Sequence, residues 1–283
     1  MTHVLACIDG SMAATAVCDA AAWASRRLHA PLELLHVLEK PDKPAGGDLS
    51  GSIGFGAREH LLLELVALEE KKSRLLLEQG KAMLQAARER VEASGREPVT
   101  SRQLHGPLVD ILEDLAGETR LCIMGREGES NTRAHRAIGS NLENVIRTLS
   151  RPVLIVLPGF RKPRSFMISF DGSPTAWKAI DMVAGSPLLE SIPCHVVMAG
   201  KAADTRQNEL TEACHKLGEH GFEVTDASLD GNAHDALLGY RREHDIDLMV
   251  MGAYGHSRIR QFLIGSTTTK MLASCEVPLL ILR

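Results

Sequence analysis

Apolar positions along the chain follow two rhythms. Short unbroken apolar runs bounded by turn residues, such as Val4 to Ile8, Leu121 to Met124 and Val153 to Leu157, have the signature of strands buried on both faces. Between them lie stretches whose apolar residues recur every three or four positions, the spacing of helices that cover a core. On this basis strands are predicted near 3–9, 31–38, 98–105, 120–125 and 152–157, with helices near 12–28, 60–94, 107–117 and 140–149. A second series follows, with strands near 165–170, 193–199, 222–229, 247–251 and 278–282 and helices near 174–185, 204–220, 233–244 and 266–274. Strands joined through helices require right-handed crossovers and so a parallel sheet covered on both faces. The predicted fold class is α/β, as two tandem doubly wound domains of five parallel strands, residues 1–159 and 160–283.

The two series are copies of one unit. HVLACIDGS at 3–11 matches FMISFDGS at 166–173, LCIMGREG at 121–128 matches LMVMGAYG at 248–255, and RPVLIVLP at 151–158 matches VPLLILR at 277–283. Landmarks recurring in the same order mark a tandem duplication. The copies diverge mainly at 40–95, where the first carries about 35 extra residues. Gly46, Gly47, Gly51, Gly54 and Gly56 predict a flexible surface loop, with a lid or partner-docking loop as the sharper alternative. His60 to Ala93 then sets Leu61, Leu65, Leu68, Leu76, Met83, Ala87 and Val91 among charged residues, which predicts one long amphipathic helix or two shorter ones.

In doubly wound sheets ligands bind beyond the carboxyl ends of the strands, where the strand order reverses. At that edge the second copy places Asp171-Gly172-Ser173 after its first strand and Gly252-Ala253-Tyr254-Gly255 after its fourth. Gly265-Ser266-Thr267-Thr268 then opens its last helix. A turn of small residues leading into a helix N-terminus favours phosphate, because unpaired N–H groups and the helix dipole both attract an anion. Gly252 and Gly255 are expected to admit a close approach of backbone to ligand, and Ser266 and Thr267 to donate hydroxyls. His256, Arg258 and Arg260 lie in the intervening loop, either solvated or closing on the phosphates.

This pattern resembles the nucleotide-binding form of the universal stress protein family, in which G-x-x-G, nine residues and G-[ST] follow the fourth strand and an Asp follows the first. Gly252, Gly255, the nine residues His256 to Ile264, Gly265 and Ser266 reproduce it, and the resemblance runs over nearly the whole chain, as in two-domain members. It implies an adenine nucleotide alpha hydrolase-like fold and a site for ATP, with ADP or AMP as alternatives and Mg as the accompanying cation. By resemblance the adenine contacts the backbone at Ala199, the ribose lies near Asp171, and the phosphates rest on Gly252, Gly255, Gly265, Ser266 and Thr267. The first copy offers Asp9, Val37, Gly125, Gly128, Gly139 and Ser140, but ten residues, Glu129 to Ile138, separate its glycine segments. Glu127 and Glu129 flank Gly128, an unfavourable setting for a triphosphate, although Arg133, His135 and Arg136 stand in the same loop.

The nucleotide is therefore expected mainly in the second copy, in an ATP-binding regulatory protein of the stress response. The alternatives are a slow ATP hydrolase, with Asp171 and a divalent cation positioning water, and a nucleotide-free interaction protein that docks an unknown protein partner through the first copy. The family also implies pairing of fifth strands, here Val153 to Leu157 against Leu279 to Leu282. That makes an intramolecular pseudo-dimer, with the remaining surface open to a homodimer.

Composition narrows the rest. With 283 residues, 44% hydrophobic and 24% charged, the chain has material for a substantial core. The formal net charge of -4 divides evenly between the halves, so neither offers a basic face to nucleic acid, and phosphate must be held by local backbone and loop groups. No apolar run reaches the ~18 residues of a membrane span and no signal-peptide pattern opens the chain, so a cytoplasmic protein without a membrane partner is expected. Cys7, Cys18, Cys122, Cys194, Cys214 and Cys275 stand singly and read as reduced, buried small hydrophobes. P-loop, H-E-x-x-H and G-x-S-x-G patterns are absent, and Asp171 alone stands out as a base, so no catalytic residue is assigned.

Overall fold

The computed structural model describes residues 2–39, 55–95, 98–128, 140–200, 206–252 and 266–283. Its first half runs β1 (His3–Cys7), α1 (Ala14–Leu28), β2 (Leu32–Leu38), α2 (Phe55–Ala93), β3 (Val99–His105), α3 (Leu108–Asp114), β4 (Thr119–Gly125), α4 (Ser140–Thr148) and β5 (Val153–Val156). The second half runs β6 (Phe166–Ser169), α5 (Pro174–Ala184), β7 (Cys194–Ala199), α6 (Gln207–Glu219), β8 (Val224–Leu229), α7 (Ala233–Glu243), β9 (Leu248–Gly252), α8 (Ser266–Ser274) and β10 (Leu279–Leu282).

These strands join in one sheet of order β3-β2-β1-β4-β5-β10-β9-β6-β7-β8. The order is a palindrome: each half is parallel within itself, and the fifth strands meet antiparallel, Leu280 opposite Leu154 and Ile281 opposite Val153. Each fifth strand would otherwise present a row of unpaired N–H and C=O groups, and the meeting satisfies both. Register repeats as well. Val4 lies opposite Leu32 and Leu121, and Phe166 lies opposite Cys194 and Leu248. Val37 and Ala199 therefore reach the same level of their strands, as do Gly125 and Gly252.

Successive strand residues point to opposite faces, which makes two core layers. Val4 and Ala6 pack with Ala20 and Ala24 of α1 and with Leu84, Ala87 and Val91 of α2. Leu5 packs on the other face with Leu112 of α3 and Leu142, Val145 and Ile146 of α4. Both layers continue into the second half, so covering on both faces explains the unbroken apolar runs. The outermost strands β3 and β8 carry polar residues such as Arg102 and Asp226, which protect the sheet from further pairing.

α2 is one continuous helix of 39 residues, about 58 Å long at roughly 1.5 Å per residue. Its C-terminal part is embedded through Leu84, Ala87 and Val91. Gly80 lies so close to the sheet that a Cβ there would stand 2.5 Å from Cδ2 of His36 and would also collide with Gln103. Its N-terminal part departs from expectation: Leu65 and Leu68, anticipated on the packed face, are 52% and 63% exposed. At about 100° per residue, the face of Gly80, Leu84 and Ala87 continues upward through Ser73 and Glu69, so these leucines lie on a different stripe. Despite its length α2 is too polar to cross a membrane, and no helix among the described residues is long and apolar enough to do so.

Candidate functional site

In the first half the chain order reverses at β1, which lies between β2 and β4, and a cleft of about 230 Å³ opens at the carboxyl ends of these strands. Asp9, Val37, Gly125 and Gly128 all line it, together with Glu39, Arg126 and Asn141. Three separate chain segments thus bring four of the first copy's six anticipated residues to one place. Leu35, Met124 and Leu142 supply apolar wall.

The two Asp-Gly-Ser turns are built alike. Oδ1 of Asp9 accepts a hydrogen bond from the Ser11 N–H at 3.0 Å, and Oδ1 of Asp171 accepts one from the Ser173 N–H at 3.0 Å. This Asx-turn holds each carboxylate against the start of the following helix. Ser173 then acts as the N-cap of α5, its Oγ accepting from the Ala176 N–H at 3.2 Å, with Pro174 in the first turn. In the first half Oγ of Ser11 accepts from the Ala13 N–H at 3.3 Å, and α1 starts after Ala13, which supplies no side-chain cap. A serine side chain thus caps α5 and none caps α1.

The first glycine of each motif is required for a reason other than the one expected. A Cβ on Gly125 would stand 2.8 Å from Cβ of Ala13, and a Cβ on Gly252 would stand 2.9 Å from the carbonyl oxygen of Thr175. At this level the strand end lies directly against the start of the helix that follows the first strand of its half, α1 or α5, so packing alone demands glycine. A Cβ on Gly128 would meet Oδ2 of Asp9 at 3.6 Å, an ordinary contact that places Gly128 over the carboxylate.

Two groups that the motif pattern did not single out shape the cleft. Oε1 of Glu39 accepts from the Leu108 N–H at 3.2 Å and from Nδ2 of Asn141 at 3.1 Å. A carboxylate of the chain itself thus ties together the first turns of α3 and α4, where helix dipoles favour negative charge. Arg126 donates from Nη1 to the Cys275 carbonyl at 2.8 Å, just beyond α8, and its Nη2 lies 3.4 Å from Oε1 of Glu127. Its charge suits that helix C-terminus and links the wall of the first cleft to the second half. Cys7 also lines the cleft. Its contact with the Cys122 sulfur at 3.9 Å, and then its burial, raise its thiol pKa well above the ordinary value, so it is no nucleophile.

In the second half Asp171, Ala199 and Gly252 stand at the ends of β6, β7 and β9. Nη1 of Arg206 donates to the Asp171 carbonyl at 2.6 Å, and with Glu209 it covers the outer side of the Gly172 turn. Ser266 opens α8, Thr267 is half-buried in its first turn and Thr268 is buried, while Ser140 opens α4. Gly139, Gly255 and Gly265 lie outside the described residues, as do Arg133, His135, Arg136, His256, Arg258 and Arg260.

Comparison with known proteins settles the kinship. The universal stress protein family matches residues 1–156 and again 164–283. The chain belongs to the universal stress protein family. Universal stress protein Slr1230 of Synechocystis is 36% identical over 287 residues, covering 100% of both chains. A universal stress protein structure from Archaeoglobus fulgidus matches 99% of this chain and 98% of its own at 19% identity, with a TM-score of 0.71. A functionally unknown protein from Pseudomonas aeruginosa matches 100% of this chain and 92% of its own at 15% identity, with a TM-score of 0.63. These distant structural likenesses bear on the fold, and this universal stress protein shares it with both along nearly their whole length.

Proposed function

We propose that this universal stress protein is a stress-response regulator that binds an adenine nucleotide, ATP foremost, chiefly at the carboxyl edge of its second half. The observation that carries this reading is the convergence of Asp9, Val37, Gly125 and Gly128 on one cleft at the reversal of strand order. The second half repeats that scaffold in register, with Asp171, Ala199 and Gly252 at the same strand ends and the full G-x-x-G, nine-residue, G-S pattern in sequence.

The chemistry of the lining supports a nucleoside. Leu35, Val37, Met124 and Leu142 suit a planar apolar base, and a carboxylate held at one oxygen by a backbone N–H suits ribose hydroxyls. The first cleft lies slightly below the ~300–1,000 Å³ usual for ligand sites, so the phosphates would rest on the glycine segments around it. Glu39 favours the second half over the first. It already places negative charge between two helix N-termini, whereas the equivalent residue in sequence, two positions beyond Ala199 as Glu39 is two beyond Val37, is Lys201. Mg would enter with the phosphates.

Purified protein, denatured and assayed by mass spectrometry, should release roughly one adenine nucleotide per chain, and added ATP should raise the melting temperature. Gly265→Asp, which puts a carboxylate at the phosphate cradle, should abolish both effects and leave the circular dichroism spectrum unchanged. An empty protein whose melting temperature does not respond to ATP would refute the reading. Release of ADP with turnover of added ATP would replace it by the hydrolytic alternative.

A further inference from the structure

α2 carries an apolar seam that packing within the chain does not use. Leu65, Leu68 and Leu75 are 52%, 63% and 56% exposed, and with Lys72 they fall at successive a and d positions of a heptad. Leu63 and Val66 add further exposed apolar surface on the same half of the helix. Most helical stability in proteins comes from packing of an apolar face, and a row of exposed leucines costs free energy unless covered. We propose that the projecting half of α2 is a self-association element, pairing antiparallel with α2 of a second copy of this chain. This interface is independent of the nucleotide site.

The charges beside the seam select both the partner and its direction. In a parallel pair Lys72 would face its own twin in the core, and Glu64 would lie beside Glu69 of the other copy, so like charges meet twice. In an antiparallel pair with Leu65 against Leu68 of the other copy, Lys72 leaves its twin and Glu64 comes beside Lys71, twice by symmetry. Sliding that pair by one heptad would set Lys71 against Lys71 and Glu64 against Glu78, which disfavours the alternative register. Within the chain these groups are lightly engaged. Glu64 meets Nδ1 of His60 at 3.6 Å, and Lys71 forms no ion pair among the described residues. The favoured register is centred between Val66 and Ala67, so the contact falls within the projecting half and clears the embedded part around Gly80.

The test is sedimentation velocity of the full chain from about 1 to 100 μM, the range in which a modest helical dimer of this size dissociates. The wild type should dimerise. Leu65→Gln/Leu68→Gln, which removes four leucines per dimer by symmetry, should raise the dissociation constant by roughly 100-fold or more. Lys71→Glu should weaken the dimer by about tenfold, and the exchanged pair Glu64→Lys/Lys71→Glu should restore it. Circular dichroism of each variant, matching the wild type, keeps a lost dimer from being mistaken for a lost helix. A wild type that stays monomeric, a dimer indifferent to the leucine substitutions, or an exchanged pair that fails to recover would each overturn the proposal.

Discussion

Gly252→Ala separates two reasons for a glycine at the start of the motif. The added Cβ would stand 2.9 Å from the Thr175 carbonyl oxygen, 3.0 Å from its carbon and 3.3 Å from the Ala176 nitrogen. All three are backbone atoms in the first turn of α5, so no flexible side chain can swing aside. That turn is fixed by the Ser173 cap and by the edge-on packing of Trp177 on Phe170, with ring centroids 5.1 Å apart. Relief therefore means moving the helix by several tenths of an ångström, an overpacking cost of about 1–3 kcal/mol. Loss of glycine freedom in the unfolded chain returns about 0.4–1 kcal/mol, leaving a net loss of roughly 1–2 kcal/mol. In a chain of this size that corresponds to a melting temperature lower by about 2–6 °C in the absence of nucleotide. Gly239→Ala serves as the control, because a Cβ there in the middle of α7 meets nothing within 4 Å and should stabilise by about 0.5–1 kcal/mol. If nucleotide-free Gly252→Ala melts at or above the wild-type temperature while ATP binding is lost, the packing argument is wrong and the glycine serves the ligand.

Two further outcomes follow from the titrating groups. Burial, and secondarily the neighbouring His244, lower the pKa of His195, which lies 2.9 Å from the Tyr240 hydroxyl. The folded chain thus resists a proton that the unfolded chain accepts near 6.5, so stability should fall as the pH drops below that value. The slope should flatten in His195→Gln, and an unchanged slope in urea titrations from pH 7 to 5 would refute this origin. Burial pushes the thiols of Cys18 and Cys214 up to about 11, and raises those of Cys194 and Cys275 as well. At neutral pH native protein should therefore react with a thiol-disulfide reagent about 100-fold more slowly than free cysteine, with all six thiols reacting after denaturation. A rapid equivalent in the native protein would contradict the burial argument.

Much was legible from local pattern. Strands covered on both faces must be continuously apolar, so Val4 to Ile8 and Leu248 to Met251 announced themselves, and an Asp that closes an Asx-turn has to precede its helix immediately. Because the duplication repeats these short-range signals in order, the sequence also indicated which residues are equivalent, and the ladder registers agree for Val37 with Ala199 and for Gly125 with Gly252. Helix periodicity likewise predicted α2, but periodicity records spacing and not what covers a face. The stripe of Leu65 and Leu68 therefore looked the same in sequence as that of Leu84 and Ala87, although only the latter is buried.

Other features depend on groups far apart along the chain. Glu39 meets Leu108 and Asn141 at separations of 69 and 102 residues, and Arg126 reaches Cys275 across 149, distances over which no local signal survives. The reason for Gly252 belongs to the same kind: in sequence it reads as a loop residue kept open for a ligand, while in space the backbone of Thr175 fills the position of its Cβ. Local pattern was enough to specify two copies of one strand-and-helix unit, because each unit is encoded in patterns a few residues long. The register in which β5 meets β10, and where α2 parts from the sheet, were decided by which surfaces meet when the whole chain is packed.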